Sequence, residues 1–589
     1  MIHFLSLPWG FKHDAVYYDK AKKAHVYRGG AIVPLELRPF LPEDFSIERW
    51  HSDEANGMVL PPKKGSHKFK PRDHQLEAAK AISKAYAEGS QGFLLADKTG
   101  LGKTLSTLVG ISIIAKSQGF GPKDKAKLLI VCPKGVIPQW RDTLHNYPIS
   151  TALSRPLIIN YQQLNKLLTA PANARVAKKA RTKNRITASQ GKPTIDWDYI
   201  VFDEAHYLKN YPTSAASMSA ASIAKLNMPY KKDKSPFVVY STATPGATPL
   251  NFSIMSQIIA PLISPTTKSV TPNLWGAFLE TEGFAVKKGK TGWQWATEPW
   301  HGKNSDKPEE QEKYKAALKE VRIKQRRDAQ RIGKGLKKKG APFIMRSPLD
   351  LAGWPEQQFI PLPLELTAKQ KPIYEEAWTT FRNYLRLTPA KSDPKGQLVQ
   401  TLRYRQKASL LKVEHVVDNV IDWVEAGNQV FISVEFIETL DEYKTRLEKA
   451  GIDVAEVSGR NTAIREQERL RFQRGQAKVA LCTVVAGVSF HSNEMLADGT
   501  RATPNPRITI ISDIRQNNLD ATQTCGRAHR DGENSLTYFP YLAGTVDEKI
   551  IYSFTNKTAN MDSMTGSSIE SAEALDSLFR VAAAKSRVS

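Results

Sequence analysis

Gly100-Leu101-Gly102-Lys103-Thr104 follows the apolar run Phe93-Leu94-Leu95 and opens a helical pattern. A strand that turns through glycines into a helix points successive backbone N–H groups inward, and the helix adds the positive end of its dipole. Such a turn suits phosphate oxygens. Lys103 would reach the β- and γ-phosphates and the Thr104 hydroxyl would bind magnesium, so ATP and magnesium are the expected cofactors. Asp97 stands where the Gly-x4-Gly-Lys-Thr pattern has its first glycine. A Gly-Lys-Thr tripeptide is common by chance; the apolar strand before it and the helical pattern after it give it weight. Upstream, Gln75 in Pro71-Arg72-Asp73-His74-Gln75 offers an amide that could read an adenine edge, although a lone glutamine is most often an ordinary surface residue.

Ile200-Val201-Phe202-Asp203-Glu204-Ala205-His206 puts two carboxylates at the end of an apolar strand, where open α/β sheets bind their ligands. Asp203 can hold the magnesium shell while Glu204 orients or deprotonates the attacking water. A helix N-cap with an acid in its first turn gives the same two letters. The phosphate loop about one hundred residues earlier decides for the catalytic reading. Far downstream, Gln523-Thr524-Cys525-Gly526-Arg527-Ala528-His529-Arg530 sets two arginines three apart, on one face of any helix there. The planar guanidinium fork suits a γ-phosphate and keeps its charge at any physiological pH. The plain alternative is a pair of surface ion-pairing arginines.

These residues need parallel sheets behind them. Short apolar runs alternate with helical patterns from about 66 to 260 (Leu128-Leu129-Ile130-Val131, Tyr199-Ile200-Val201-Phe202, Phe237-Val238-Val239-Tyr240). A second series begins near 405 (Val430-Phe431-Ile432, Val479-Ala480-Leu481, Ile508-Thr509-Ile510-Ile511). Strands apolar on both faces belong to parallel sheets covered by helices, so two α/β lobes are predicted. Residues 309–339 are basic and helix-prone, with Tyr314, Leu318, Val321, Ile332 and Leu336 at helical spacing. Residues 170–192 form a second basic stretch, read as a loop, and Pro61-Pro62-Lys63-Lys64-Gly65 reads as a linker. With 589 residues, 41% of them hydrophobic, the chain has room for three or four domains. Its 84 Lys and Arg against 59 acids leave a formal charge of +25, an excess that suits a polyanionic partner such as nucleic acid, although solubility or an anionic membrane surface would account for it too. The 3 cysteines, Cys132, Cys482 and Cys525, are too far apart for a Cys-x-x-Cys pair, which excludes a disulfide framework or a zinc site and fits a reducing compartment. No apolar run approaches ~18 residues, so no membrane helix is expected.

The ordered set of segments resembles superfamily 2 helicases, and within them the Swi/Snf-type branch of DNA translocases, over about residues 70–555. It comprises Arg72–Gln75, Asp97–Thr104 with the branch's own Asp, Val131-Cys132-Pro133-Lys134 with Gln139-Trp140, and Asp203–Asn210. It continues with Ser241-Thr242-Ala243-Thr244-Pro245, Phe343-Ile344-Met345-Arg346, Leu366–Gln370, Val430–Ser433, Gln523–Arg530 and Gly544–Ile550. The resemblance implies an α/β fold of two RecA-like parallel-sheet lobes, with a helical insertion between them and a small N-terminal accessory domain. The implied boundaries are 1–65 (accessory), 66–262 (first lobe), 263–360 (basic helical insertion), 361–555 (second lobe) and 556–589 (tail). By resemblance, Gln523, Arg527 and Arg530 join the hydrolytic set, and His206, Ser241, Thr242 and Thr244 couple ATP state to lobe movement. Lys134 and Arg346 become candidate nucleic-acid contacts.

Two segments depart from the branch pattern. Cys482–His491 is poorer in glycine, and Ala243 stands where glycine is usual. Gly487-Val488-Ser489-Phe490 and Tyr207-Leu208-Lys209-Asn210 are closest to the compact annealing-helicase subgroup, and residues 3–50 are similar to the DNA-structure-binding domain before that subgroup's motor. The implied activity is an ATP-driven motor on double-stranded or forked DNA, acting as an intracellular, soluble monomer. A strand-separating DNA or RNA helicase is the alternative that the shared ATPase core leaves open.

Overall fold

In the computed structural model, short strands lie within residues 2–27, residues 71–346 are described with breaks of which 170–190 and 297–306 are the longest, and residues 358–548 with breaks of which 514–523 is the longest. The opening strands β1 (Ile2–Phe4), β2 (Val16–Asp19) and β3 (Ala24–Tyr27) form an antiparallel sheet in the order β1-β3-β2. The rest of the expected accessory domain, and the tail 556–589, fall outside the described residues. The chain divides into two compact units after Arg346.

The first unit is built on β4 (Gly92–Leu95), β5 (Leu128–Cys132), β6 (Leu157–Asn160), β7 (Tyr199–Asp203) and β8 (Phe237–Ser241), each buried along its whole length. That is why these runs are apolar without alternation: helices cover both faces, among them α1 (Asp73–Ala87), α2 (Lys103–Ser117) and α3 (Ile137–Asn146). After a hairpin of β9 (Val286–Gly289) and β10 (Gly292–Trp295), the two-residue strand β11 (Phe343–Ile344) adds to the edge. The parallel order is β11-β4-β8-β7-β5-β6. Strand β8 therefore lies between the strand feeding the phosphate loop and the strand ending in the acids, with Ser241 in register with Leu95 on one side and Asp203 on the other. This topology assembles the site.

The expected basic helix spans Pro308–Leu336 and belongs to the first unit. Ala329, Ile332 and Leu336 enter the core of the sheet, while Tyr314, Leu318 and Val321 are only half-buried. Asp328 on the same helix is fully buried and accepts the backbone N–H of Ala285 at 2.7 Å and the indole N–H of Trp295 at 3.0 Å, which pins the β9–β10 hairpin. Asp328→Ala would strand both donors, so a loss of about 1–3 kcal/mol for each unsatisfied group is expected, read as a lowered unfolding midpoint in urea.

The second unit repeats the plan with β12 (Gln358–Leu364), β13 (Gln429–Ser433), β14 (Val454–Val457), β15 (Val479–Cys482), β16 (Arg507–Ile511) and β17 (Ser535–Leu542). These form a wholly parallel sheet in the order β12-β17-β16-β13-β15-β14. Lys412 is buried at its carboxyl edge, donating to the Ser512 carbonyl at 2.6 Å beside Asp513 and Asp547. Burial alone would lower its pKa; the charges of Asp547 and Asp513 outweigh that and hold the ammonium above the ordinary lysine value. Lys412 thereby ties Asp547 to the sheet. Two α/β units with parallel sheets are the architecture the sequence pattern predicts. Among the described residues, no helix is long and apolar enough to cross a membrane.

Candidate active site

The loop after β4 turns through Gly100 at φ 99° and Gly102 at φ 75°, backbone that only glycine adopts cheaply, and α2 begins at Lys103. The Lys103 ammonium folds back to donate to the Asp97 carbonyl at 2.9 Å, and Thr104 is buried in the first turn of α2. From α1, His74 Nε2 sits 3.0 Å from the Leu101 carbonyl and Gln75 Nε2 donates to the same oxygen at 3.2 Å. Gln75 Oε1 accepts the Arg72 backbone N–H at 2.9 Å, which leaves this amide one N–H and one lone pair for a base. A Cβ built on Gly102 would lie 2.0 Å from Gln75 Nε2. The loop is thus a cradle shaped by absent side chains, with a lysine at its mouth, and it fits a polyphosphate.

Asp203 ends β7 almost fully buried and accepts three hydrogen bonds: the Trp140 indole N–H at 2.7 Å, the Ser241 hydroxyl at 3.0 Å and the Glu204 backbone N–H at 3.1 Å. Burial, followed by the charge of Glu204, pushes its carboxyl up to about 6, against the opposing effects of the Trp140 bond, the Lys103 charge and the Ser241 bond. A carboxylate accepts about four hydrogen bonds, so one lone-pair direction remains for an ion or its water shell. Among the described residues no cluster of three or more His, Cys, Asp or Glu side chains could hold a metal alone. An ion between Asp203 and Thr104 would therefore draw on water and phosphate for most of its ligands, the habit of magnesium.

Glu204 itself sits in the left-handed region at φ 53°, strained for a side-chain-bearing residue. Its Oε2 lies 3.3 Å from His206 Nδ1 and accepts the Thr242 hydroxyl at 3.4 Å, while His206 Nδ1 and Thr242 Oγ1 are 3.2 Å apart. Thr242 Oγ1 also accepts the Thr244 N–H at 3.2 Å, and Thr242 N donates to the Leu95 carbonyl at 3.0 Å. The acid pair, β8's end and the root of the phosphate loop are one hydrogen-bonded cluster. Trp140 and Tyr161, whose hydroxyl donates to the Asp203 carbonyl at 2.6 Å, complete it. Trp140 was visible in sequence only as part of a family segment, and Tyr161 carried no signal.

Lys134 is exposed at the turn after β5. Arg346, expected at nucleic acid, donates two bonds of 3.1 and 2.5 Å to Asp97. In the second unit Arg527 is buried, its backbone carbonyl accepting the Phe490 N–H at 2.9 Å. Gln523 and Arg530 lie outside the described residues.

A parallel sheet with a phosphate loop on one strand, a carboxylate pair two strands away and a second sheet of the same plan define a helicase-type ATPase. Residues 74–231 match the SNF2-related domain and residues 411–532 the helicase conserved C-terminal domain. These two matches support the resemblance to Swi/Snf-type superfamily 2 helicases. The chain is 24% identical over 505 residues to an ATP-dependent RNA helicase of Acanthamoeba polyphaga mimivirus, a match covering 81% of each chain. It is 31% identical over 149 residues to a chromatin-remodelling complex ATPase chain of Oryza sativa subsp. japonica, covering 24% of this chain and 13% of that one. Among solved structures, the Sulfolobus solfataricus SWI2/SNF2 ATPase core in complex with dsDNA aligns at TM-score 0.30 and 18% identity over 88% of this chain and 98% of that one. The Pyrococcus furiosus Hef helicase domain aligns at TM-score 0.39 and 15% identity over 82% and 98%.

Proposed function

We propose that the chain hydrolyses ATP to move along double-stranded DNA. The observation that supports this best is the cluster joining Glu204, His206 and Thr242 to the phosphate loop's root, because it lets a change at the γ-phosphate shift the 241–245 segment. Lys103 grips the β- and γ-phosphates, Gly100 and Gly102 open the cradle, and Gln75 reads the adenine edge with the donor and acceptor it has left. Thr104 and Asp203 hold magnesium, which supplies charge neutralisation of the phosphates when bound. Glu204 orients the attacking water and takes its proton. His206, Ser241, Thr242 and Thr244 carry the result away from the site. Gln523, Arg527 and Arg530 are proposed for the transferring phosphoryl group, on the strength of the family resemblance and the fork's chemistry.

The test is ATP turnover by the purified protein alone and with duplex DNA, single-stranded DNA or RNA. Stimulation by duplex DNA is expected to exceed the others. Best stimulation by RNA or a single strand would instead favour the strand-separating reading, for which the match to the mimivirus RNA helicase speaks. The likeness of Tyr207–Asn210 and Gly487–Phe490 to annealing helicases makes forked DNA the first structured substrate to try.

Cations outside the ATP site supply the footprint: Lys134, Lys287 and Lys288 of the β9–β10 hairpin, and Arg326 and Lys334 of the helix Pro308–Leu336 are all exposed. Binding held by such contacts falls with salt at a log–log slope of ~0.9 per phosphate neutralised. Lys134→Ala is expected to weaken binding equally across sequences and to reduce that slope by about 1, measured by fluorescence anisotropy over a salt series. An unchanged slope would remove Lys134 from the footprint.

A further inference from the structure

Asp97 occupies a position where the general phosphate-loop pattern has glycine, and a buried carboxylate there requires an explanation. Its side chain is wholly buried, and a carboxylate in that setting is stable only with a matching charge and good hydrogen bonds. Arg346 provides both. Its Nε donates to Asp97 Oδ1 at 3.1 Å and one terminal nitrogen to Oδ2 at 2.5 Å, the paired geometry a guanidinium makes and an ammonium does not. The other terminal nitrogen donates to the His74 carbonyl and lies 3.4 Å from Glu77 on α1. The backbone repeats the link: Ala96 N donates to the Ile344 carbonyl at 2.8 Å and Lys98 N to the Arg346 carbonyl at 2.9 Å. Strand β11 thus extends beyond its two paired residues to run beside the loop itself.

Asp97 also carries the carbonyl that receives the Lys103 ammonium. One residue therefore joins the phosphate-gripping lysine to Arg346, and Arg346 ends the continuous stretch of the first unit that begins at Met1. We propose that Arg346 is a positioning residue for the phosphate loop: acting through Asp97, it holds the loop in the shape that presents Lys103, so nucleotide affinity depends on the segment leading out of the first unit. This rests on the ATPase reading above and adds to it a residue that touches neither nucleotide nor DNA. The aspartate and the arginine make one device, a clamp in the place where glycine would give freedom.

The experiment uses the full chain with Arg346→Gln, Arg346→Lys, Asp97→Asn and the double variant Asp97→Asn/Arg346→Gln. Three quantities are measured: equilibrium binding of a fluorescent ADP analogue without DNA, KM and kcat for ATP at saturating duplex DNA, and DNA affinity without nucleotide. Arg346→Gln is expected to raise KM for ATP and weaken analogue binding by about tenfold or more, since it leaves the buried Asp97 carboxylate without its charge partner in the loop that presents Lys103. Arg346→Lys should show most of that loss despite keeping the charge. The value of kcat should fall less than KM rises, DNA affinity should change by less than about twofold, and the double variant should be no worse than the worse single one.

Weakened DNA binding with unchanged nucleotide binding would overturn the proposal and return Arg346 to the DNA contacts. Additive losses in the double variant, or no change in nucleotide affinity, would also overturn it. Should Arg346→Gln fail to fold by circular dichroism, the near-isosteric Asp97→Asn and the charge-keeping Arg346→Lys carry the same comparison. A wild-type chain that binds the analogue but hydrolyses no ATP would sink the ATPase reading and leave the clamp still testable by binding alone.

Discussion

Glu204→Gln is expected to lower ATP turnover by about 10²–10⁴-fold while nucleotide binding changes little, because a positioned general base contributes on that order. Glutamine matches glutamate in size and keeps an oxygen to accept the Thr242 hydroxyl, so the bond now 3.4 Å long has a replacement. The amide cannot take a proton from water. The same change removes the charge that, after burial, does most to push the Asp203 carboxyl up to about 6, so Asp203 should ionise more readily. Magnesium-dependent nucleotide binding should survive for that reason. Single-turnover hydrolysis within about threefold of wild type would refute the assignment of Glu204 as the base. Loss of nucleotide binding along with turnover would show that Glu204 serves the cradle rather than the chemistry.

The parts of this site that are local in sequence were legible there. A strand, a glycine turn and a helix occupy consecutive positions, so Gly100, Gly102, Lys103 and Thr104 announce their own geometry. The Asp203-Glu204 pair at the end of an apolar run does the same. What the sequence did not convey is set by pairing between distant segments. Strand β11 is only two residues long, and its partner β4 lies some 250 positions earlier, so no periodicity marks it. The consequence reached Arg346: by resemblance it reads as a nucleic-acid contact, and only the sheet's edge shows its fork turned onto Asp97. The Trp140 indole on Asp203 is a contact of the same kind, since nothing in Gln139-Trp140 indicates which strand end it meets. The basic helix shows a further limit of periodicity. Apolar spacing located the helix, but it gave Tyr314, Leu318 and Val321 the same weight as Ile332 and Leu336, and only the C-terminal part is held in the core.

Gly102→Ala should weaken ATP binding by about 10²-fold, through two costs that can be separated. The first is backbone: at φ 75° an alanine pays ~1–2 kcal/mol that glycine does not. The second is contact, because the new Cβ would lie 2.0 Å from Gln75 Nε2 and must drive that amide away. The amide is buried and braced, donating to the Leu101 carbonyl at 3.2 Å and accepting the Arg72 N–H at 2.9 Å, and each lost bond costs ~1 kcal/mol. The sum, ~2–4 kcal/mol, corresponds to roughly 10²-fold in affinity if it falls on the binding-competent loop. Gln75→Ala removes the collision in advance, so adding Gly102→Ala to that background should cost only the backbone part, about tenfold. Equal losses in both backgrounds would mean the amide yields freely and the cradle's shape rests on the glycine torsion alone. A much smaller loss from Gly102→Ala by itself would mean the loop takes another conformation when it binds phosphate, and the roles assigned to Gln75 and Gly102 would fail together. The two outcomes differ because the collision and the torsion act on different atoms of the same turn.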